Sequence, residues 1–267
     1  MKTINWYPGH MKKTRELIEE NLKLVDVVLE VCDARIPESS RNPVIEEITG
    51  AKPRVVILNK CDLADDAATK KWRIHFKKAF AVNAMSGEGV NTLLRELKGY
   101  RRLMIVGIPN SGKSSLINRL TGRRAAQVGN RPGITRGKQW LTLENGMQLL
   151  DTPGILWPKF EDPQVGLNLA FCGSIRDEIM DLQDLGLELI RCLLVRYSAL
   201  LTDKYGLEGS VPAEDEDYAL AVMEEIARVR GHLLPGARID YERTARTVLD
   251  EFRSGKIGRI TLESPPR

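Results

Sequence analysis

The chain has 267 residues and a formal net charge of +4, with 42% hydrophobic and 28% charged residues. That balance excludes a disordered tail, a collagen and a disulfide scaffold, and leaves a globular protein of one large or two modest domains. The charge is unevenly spread: residues 1–164 carry 27 lysines and arginines against 18 acids, residues 165–267 carry 13 against 18, so the first part is the one expected to meet phosphates.

In chain order, the N-terminus MKTINWYPGHMKKTREL has no continuous apolar core and carries Glu16, Glu19 and Glu20, which argues against a signal or transit peptide. Apolar runs at 25–32, 54–58, 80–82, 103–106, 140–143 and 147–150 read as strands, and stretches at 42–48, 65–76, 90–98 and 114–120 read as helices. This β-α alternation predicts a mostly parallel sheet with helices on both faces. Glu144-Asn145-Gly146 predicts a hairpin that makes the last two strands antiparallel. After Pro153, Pro158 and Pro163 the period becomes helical, with stripes along 185–201, 218–229 and 241–252, the last two stopped by Gly231 and Gly255. No run nears the roughly 18 apolar residues of a membrane span. The four cysteines are far apart and form no C-x-x-C pair, so reduced, buried thiols and a cytoplasmic location are expected.

Gly107-Ile-Pro-Asn-Ser-Gly-Lys-Ser114 fits G-x-x-x-x-G-K-[ST] between a strand and a helix. There glycines let backbone N–H groups converge on phosphates, Lys113 reaches the β- and γ-phosphates, and Ser114 ligates Mg²⁺. Asn110, Ser111, Gly112, Lys113, Ser114 and Ser115 are the expected phosphate-binding residues. Asn59-Lys60-Cys61-Asp62 closes a strand, and a carboxylate at Asp62 accepts from both the ring N–H and the exocyclic amine of guanine, a donor pair adenine lacks. That selects GTP and GDP. Asn83-Ala84-Met85 is a candidate backbone cradle for the base, and Asp151-Thr152-Pro153-Gly154 supplies a carboxylate near Mg²⁺, through water, with the Gly154 N–H for the γ-phosphate. Thr135 is a candidate second hydroxyl on the metal.

The order of these pieces is rotated: in ordinary GTPases the phosphate loop comes first, whereas here Asn59–Asp62 and Asn83–Met85 precede Gly107. With Tyr7-Pro-Gly-His-Met11, Asp33-Ala-Arg-Ile-Pro-Glu-Ser-Ser-Arg-Asn-Pro43 and Asp250-Glu-Phe-Arg-Ser-Gly-Lys-Ile-Gly258, the chain resembles the YlqF-type circularly permuted GTPases of bacteria, the ribosome biogenesis GTPase A family, almost end to end. The resemblance implies an α/β fold: a P-loop GTPase domain of circularly permuted order over residues 1–164, with an N-terminal segment 1–22, and a small all-helical domain over 165–267. Permutation leaves a site at strand ends intact, and it brings Asp151–Gly154 next to the linker into the helical domain, so loss of the γ-phosphate contact is expected to reposition that domain.

Ile155 stands where many GTPases carry a water-orienting Gln. The resemblance implies that His10 takes part in hydrolysis instead, with Lys113, Thr135 and Gly154 as the other catalytic residues, and that Asn110 helps hold a potassium ion. It further implies a monomeric late-assembly factor for the large ribosomal subunit, meeting rRNA and ribosomal proteins but neither DNA nor membrane, slow alone and stimulated by the particle. Basic pairs such as Lys12-Lys13, Lys77-Lys78, Arg101-Arg102 and Arg123-Arg124 suit rRNA phosphates. In the acidic C-terminal part, local basic spots at Arg243, Arg246, Arg253 and Lys256 are the expected RNA contacts. The alternatives are a GTP-responsive adaptor with negligible turnover, and a metabolic P-loop kinase, which Asp62 disfavours.

Overall fold

A computed structural model describes residues 8–122, 139–154, 156–157, 160–207 and 216–266, with the side chains of its first helix described from Arg15 onward. That helix, α1 (Pro8–Leu22), precedes β1 (Val27–Asp33), α2 (Pro43–Thr49), β2 (Arg54–Asn59), α3 (Asp66–His75), β3 (Ala79–Val82), α4 (Val90–Glu96), β4 (Arg102–Gly107) and α5 (Lys113–Thr121). Then come β5 (Gln139–Thr142) and β6 (Gln148–Asp151). The six strands form one sheet in the order β3-β2-β1-β4-β6-β5, parallel except for the β5–β6 hairpin. The expected turn at 144–146 is there, with Leu143 N–H donating to Met147 O at 2.8 Å.

Every residue of β1 is buried, as helices on both faces require. Val27, Leu29 and Val31 face α4 and α5, where they join Leu93, Leu116 and Ile117. Val28 points the other way, to Ile18 of α1 and Ile45 of α2, and Cys32 lies beside Trp72 of α3. The register sets Asp33 opposite Asn59, Val31 opposite Gly107 and Ile105 opposite Asp151. The carboxyl ends of β2, β1, β4 and β6 therefore lie side by side, the edge at which open α/β sheets bind ligands.

The helical part begins at α6 (Pro163–Phe171), started by Asp162 accepting from Gln164 N–H at 2.8 Å. It continues with α7 (Leu182–Tyr205), α8 (Glu216–Arg230) and α9 (Tyr241–Arg253), and a small hairpin of β7 (Leu233–Leu234) and β8 (Arg238–Ile239) separates the last two. The stripes predicted along 185–201, 218–229 and 241–252 fall on α7, α8 and α9, and Leu189, Ile190, Val222, Ile226, Val248 and Phe252 share one apolar cluster. Ile36 and Ile108 of the sheet-bearing part belong to that same cluster. Beyond α9 the chain returns across the first part: Ile260 N–H donates to Leu63 O at 3.0 Å and Leu262 N–H to Arg35 O at 2.8 Å. Glu263 then accepts from Glu38 N–H at 2.7 Å, from Ser39 N–H at 3.0 Å and from Asn168 Nδ2 at 3.0 Å. Burial pushes its carboxyl upward, against these donors.

Cys32, Cys61 and Cys172 are buried free thiols and Cys192 is half-buried; burial pushes the Cys172 thiol up to about 12. No helix among the described residues is long and apolar enough to cross a membrane.

Candidate nucleotide site

The loop between β4 and α5 is shaped by its glycines. Gly107 lies so close to β1 that a Cβ would come within 2.6 Å of Val31 O. Gly112 has φ +86°, and a Cβ there would meet Asn59 Nδ2 at 2.2 Å, so both backbone conformation and space require glycine. Ser111, fully buried, donates its hydroxyl to Ile108 O at 3.0 Å. Lys113 and Ser114 form the first turn of α5, placing the helix N-terminus at the loop, where anions are favoured.

The Asn59–Asp62 segment clasps this loop directly. Asn59 donates Nδ2 to Ser111 O at 2.8 Å and accepts from Ala84 N–H at 3.1 Å through Oδ1, so one buried amide ties the phosphate loop to the base loop. Lys60, in the left-handed region at φ +59°, donates Nζ to Asn110 O at 2.6 Å and pairs with Asp33 at 2.9 Å. Asp62 follows in a short 3-10 turn with its side chain exposed. In the base loop Asn83 accepts through Oδ1 from Met85 N–H at 2.8 Å and Ser86 N–H at 3.1 Å, a side-chain-closed turn.

Asp151, at the end of β6, pairs with Lys113 at 2.6 Å, and the two side chains are 3% and 7% exposed. The sequence reading assigned these groups to metal and phosphate separately; the structure adds that they neutralise each other. Thr152 donates its hydroxyl to Ile105 O at 2.7 Å, and Gly154 packs on the phosphate loop, where a Cβ would lie 3.1 Å from Pro109 N. Just beyond, Leu156 and Trp157 are buried in the helical cluster. His10 lies on α1, but its side chain, like Thr135 and Ile155, is outside the described residues.

The structure adds contacts that the sequence reading did not assign. Asp33 and Arg35 form a buried bidentate pair, Nε to Oδ1 at 2.9 Å and Nη2 to Oδ2 at 2.8 Å. Burial drives the Asp33 carboxyl up, but Arg35 and then Lys60 outweigh it and hold it well below the usual carboxylate range. Asn110 donates Nδ2 to Gly173 O at 2.5 Å, joining the phosphate loop to the turn after α6. Arg119 donates Nε to Ala84 O at 3.1 Å and Nη2 to Met85 O. Asp33 and Arg35 are near neighbours in the quoted Asp33–Pro43 segment, whereas the carbonyls that Asn110 and Arg119 reach come from distant segments. One expectation for the helical part needs correction: Arg253 is not a free basic spot but turns inward, to Asp177 at 2.8 Å and to the carbonyls of Phe171 and Ala170 at 2.9 and 2.8 Å. Those carbonyls end α6, and a guanidinium is drawn to them.

The chain is 45% identical to "Ribosome biogenesis GTPase A" of Bacillus cereus, over 98% of this chain and 94% of that one. This chain belongs to the ribosome biogenesis GTPase A family. The family description "50S ribosome-binding GTPase" matches residues 102–206, which begin at β4 and so leave Asn59–Asp62 outside the match. Among solved structures, GDP-bound TM YlqF matches with TM-score 0.69 at 33% identity, over 93% of this chain and 99% of that one. GNP-bound YlqF from T. maritima matches with TM-score 0.66 at 33% identity, over 95% and 98%. The family's fold is the one seen here: a GTPase domain of permuted order, its mostly parallel sheet flanked by helices, followed by helices.

Proposed function

We propose that this protein binds GTP with Mg²⁺, hydrolyses it, and uses the cycle to join and leave the immature large ribosomal subunit in the cytoplasm, as a monomer built of units 1–164 and 165–267. The observation that carries the reading is the Asn59 amide, which ties three segments scattered along the chain to one another. Asp62, with Asn59, Lys60 and the loop Asn83-Ala84-Met85, would hold guanine; Asn110 to Ser115 and Gly154 would hold the phosphates. The Ser114 hydroxyl and the Asp151 carboxylate are hard oxygen donors beside the phosphate loop, which suits Mg²⁺ with Thr135 as a further ligand. The chemistry Mg²⁺ supplies when held there is charge neutralisation across the β- and γ-phosphate oxygens. Asn110 would hold potassium, its Oδ1 being the face not turned to Gly173.

With Ile155 in place of a Gln, the proposed water-positioning group is His10, since an imidazole can orient a water or take its proton. Replacing His10 with Ala is expected to slow hydrolysis on the order of 100-fold while GTP affinity stays unchanged. Turnover at the wild-type rate would remove His10 from the mechanism.

The ribosomal assignment is supported by the relatives' printed names and by the basic first part. Its test is sedimentation of the protein with large-subunit particles in the presence of a GTP analogue or GDP, together with turnover with and without particles. Retention with the analogue, release with GDP and faster turnover are expected. Nucleotide-dependent retention without stimulation would favour the adaptor instead.

A further inference from the structure

We propose that Arg119 is a positioning residue for guanine recognition, holding the base loop in place from the helix that starts at the phosphate loop. This rests on the reading of the pocket as a guanine-nucleotide site. Arg119 lies on α5, six positions beyond Lys113, and its guanidinium reaches two consecutive carbonyls of the base loop, Ala84 O through Nε and Met85 O through Nη2. The loop's amides are held by Asn59, which accepts from Ala84 N–H, and by its own Asn83, which accepts from Met85 and Ser86 N–H. The loop is thus gripped through both its carbonyls and its amides.

Ala84 is buried in the apolar cluster with Val82 and Val90, and Asn83 N–H donates to Glu88 O at 3.0 Å and Gly87 N–H to Asn83 O at 2.8 Å, which anchor the loop's base. Met85 is 75% exposed, so its backbone is placed by side-chain ties. Of these, Asn59 and Asn83 supply neutral hydrogen bonds, whereas Arg119 supplies charged ones, which are stronger. The planar fork also fixes the two carbonyls relative to each other, which a lysine, a single point donor, does not do. Because α5 carries Lys113 at its head and Arg119 further along, the base loop is referenced to the element that grips the phosphates. Guanine and phosphate are then read by parts of one rigid unit, and the spacing between them is set by α5. Arg119 is exposed, so its loss leaves the apolar core between sheet and helix intact.

The experiment is competition of GDP and ADP against a fluorescent GDP analogue for the full-length wild type, Arg119→Ala and Arg119→Lys, with melting curves for each. We expect both variants to melt near the wild type, GDP to weaken on the order of tenfold in Arg119→Ala and by less in Arg119→Lys, and ADP to bind as before, so that the GDP-to-ADP ratio narrows. A purely structural role would weaken both nucleotides alike. Either variant, folded and with the wild-type ratio of GDP to ADP affinity, overturns the proposal. A wild type with no guanine preference overturns the reading of the pocket itself, and this proposal with it.

Discussion

Changing Asp62 to Asn is expected to weaken GDP and GTP binding by roughly two to three orders of magnitude, the loss of a two-pronged charged hydrogen bond to the base. Asp62 stands exposed on the 3-10 turn that follows Lys60, and Lys60 is locked in its left-handed conformation by Asn110 O and Asp33. The carboxylate is therefore presented by a fixed backbone. Its two oxygens match the ring N–H and exocyclic amine of guanine, and an Asn keeps one acceptor but sets a donor against the amine. The same swap creates a match for xanthine nucleotides, which carry a carbonyl where guanine has the amine. Competition by GDP and XDP against a fluorescent nucleotide checks this: GDP should fall and XDP rise, with the melting temperature unchanged. Unaltered GDP affinity would mean that the base lies elsewhere.

The parts of the site that were legible in the sequence are those whose chemistry is written in neighbouring residues. Gly107–Ser114 needs two glycines, a lysine and a hydroxyl in one turn, and the structure puts those glycines where a Cβ would collide with Val31 O and Asn59 Nδ2. Asn59–Asp62 and Asp151 sit at strand ends because the strands themselves are plain apolar runs. The sheet order, with β1 between β2 and β4, then brings them together whatever their order along the chain. Arg119, Glu263 and the reach of Arg35 to the end of α9 were not legible. Those partners lie 34 or 35, 224 or 225, and 217 or 218 residues away, and an arginine or glutamate carries no mark of a distant carbonyl or amide. The tail at 260–263 was missed for the same reason, since its bonds to Leu63, Arg35 and Ser39 are backbone or single-residue contacts with no period. The hairpin of β7 and β8 is two residues per strand, too short for alternation to show.

Replacing Arg35 with Ala is expected to cost about 3–5 kcal/mol of stability, because it leaves the Asp33 carboxylate buried with one of its two cationic partners gone. Arg35 is 1% exposed, and besides Asp33 it reaches the carbonyls of Phe252 and Arg253 at 3.4 and 3.3 Å and lies over the Phe252 ring at 5.1 Å. The substitution therefore also strips the end of α9 of a charged donor at the seam with the sheet. For a chain of this size the melting temperature should drop on the order of 10 °C. The pH dependence gives a second reading. In the wild type the Asp33 carboxyl is held below its ordinary value, so the folded state binds its proton more weakly than the unfolded one. Its contribution is therefore full above about pH 4 and is lost as pH falls through the depressed value. Without Arg35 the burial remains while the strongest opposing charge is gone, so Asp33 takes up its proton at higher pH. The gap in stability between variant and wild type should then be widest near neutrality and narrow toward acid. Adding Asp33→Asn to Arg35→Ala removes the stranded charge and should recover part of the loss, a coupling that the four-way comparison of melting curves measures. If Arg35→Ala melts within a degree of the wild type across that pH range, the ion pair is not what joins the sheet edge to α9, and the apolar cluster through Ile36 and Ile108 carries the seam alone.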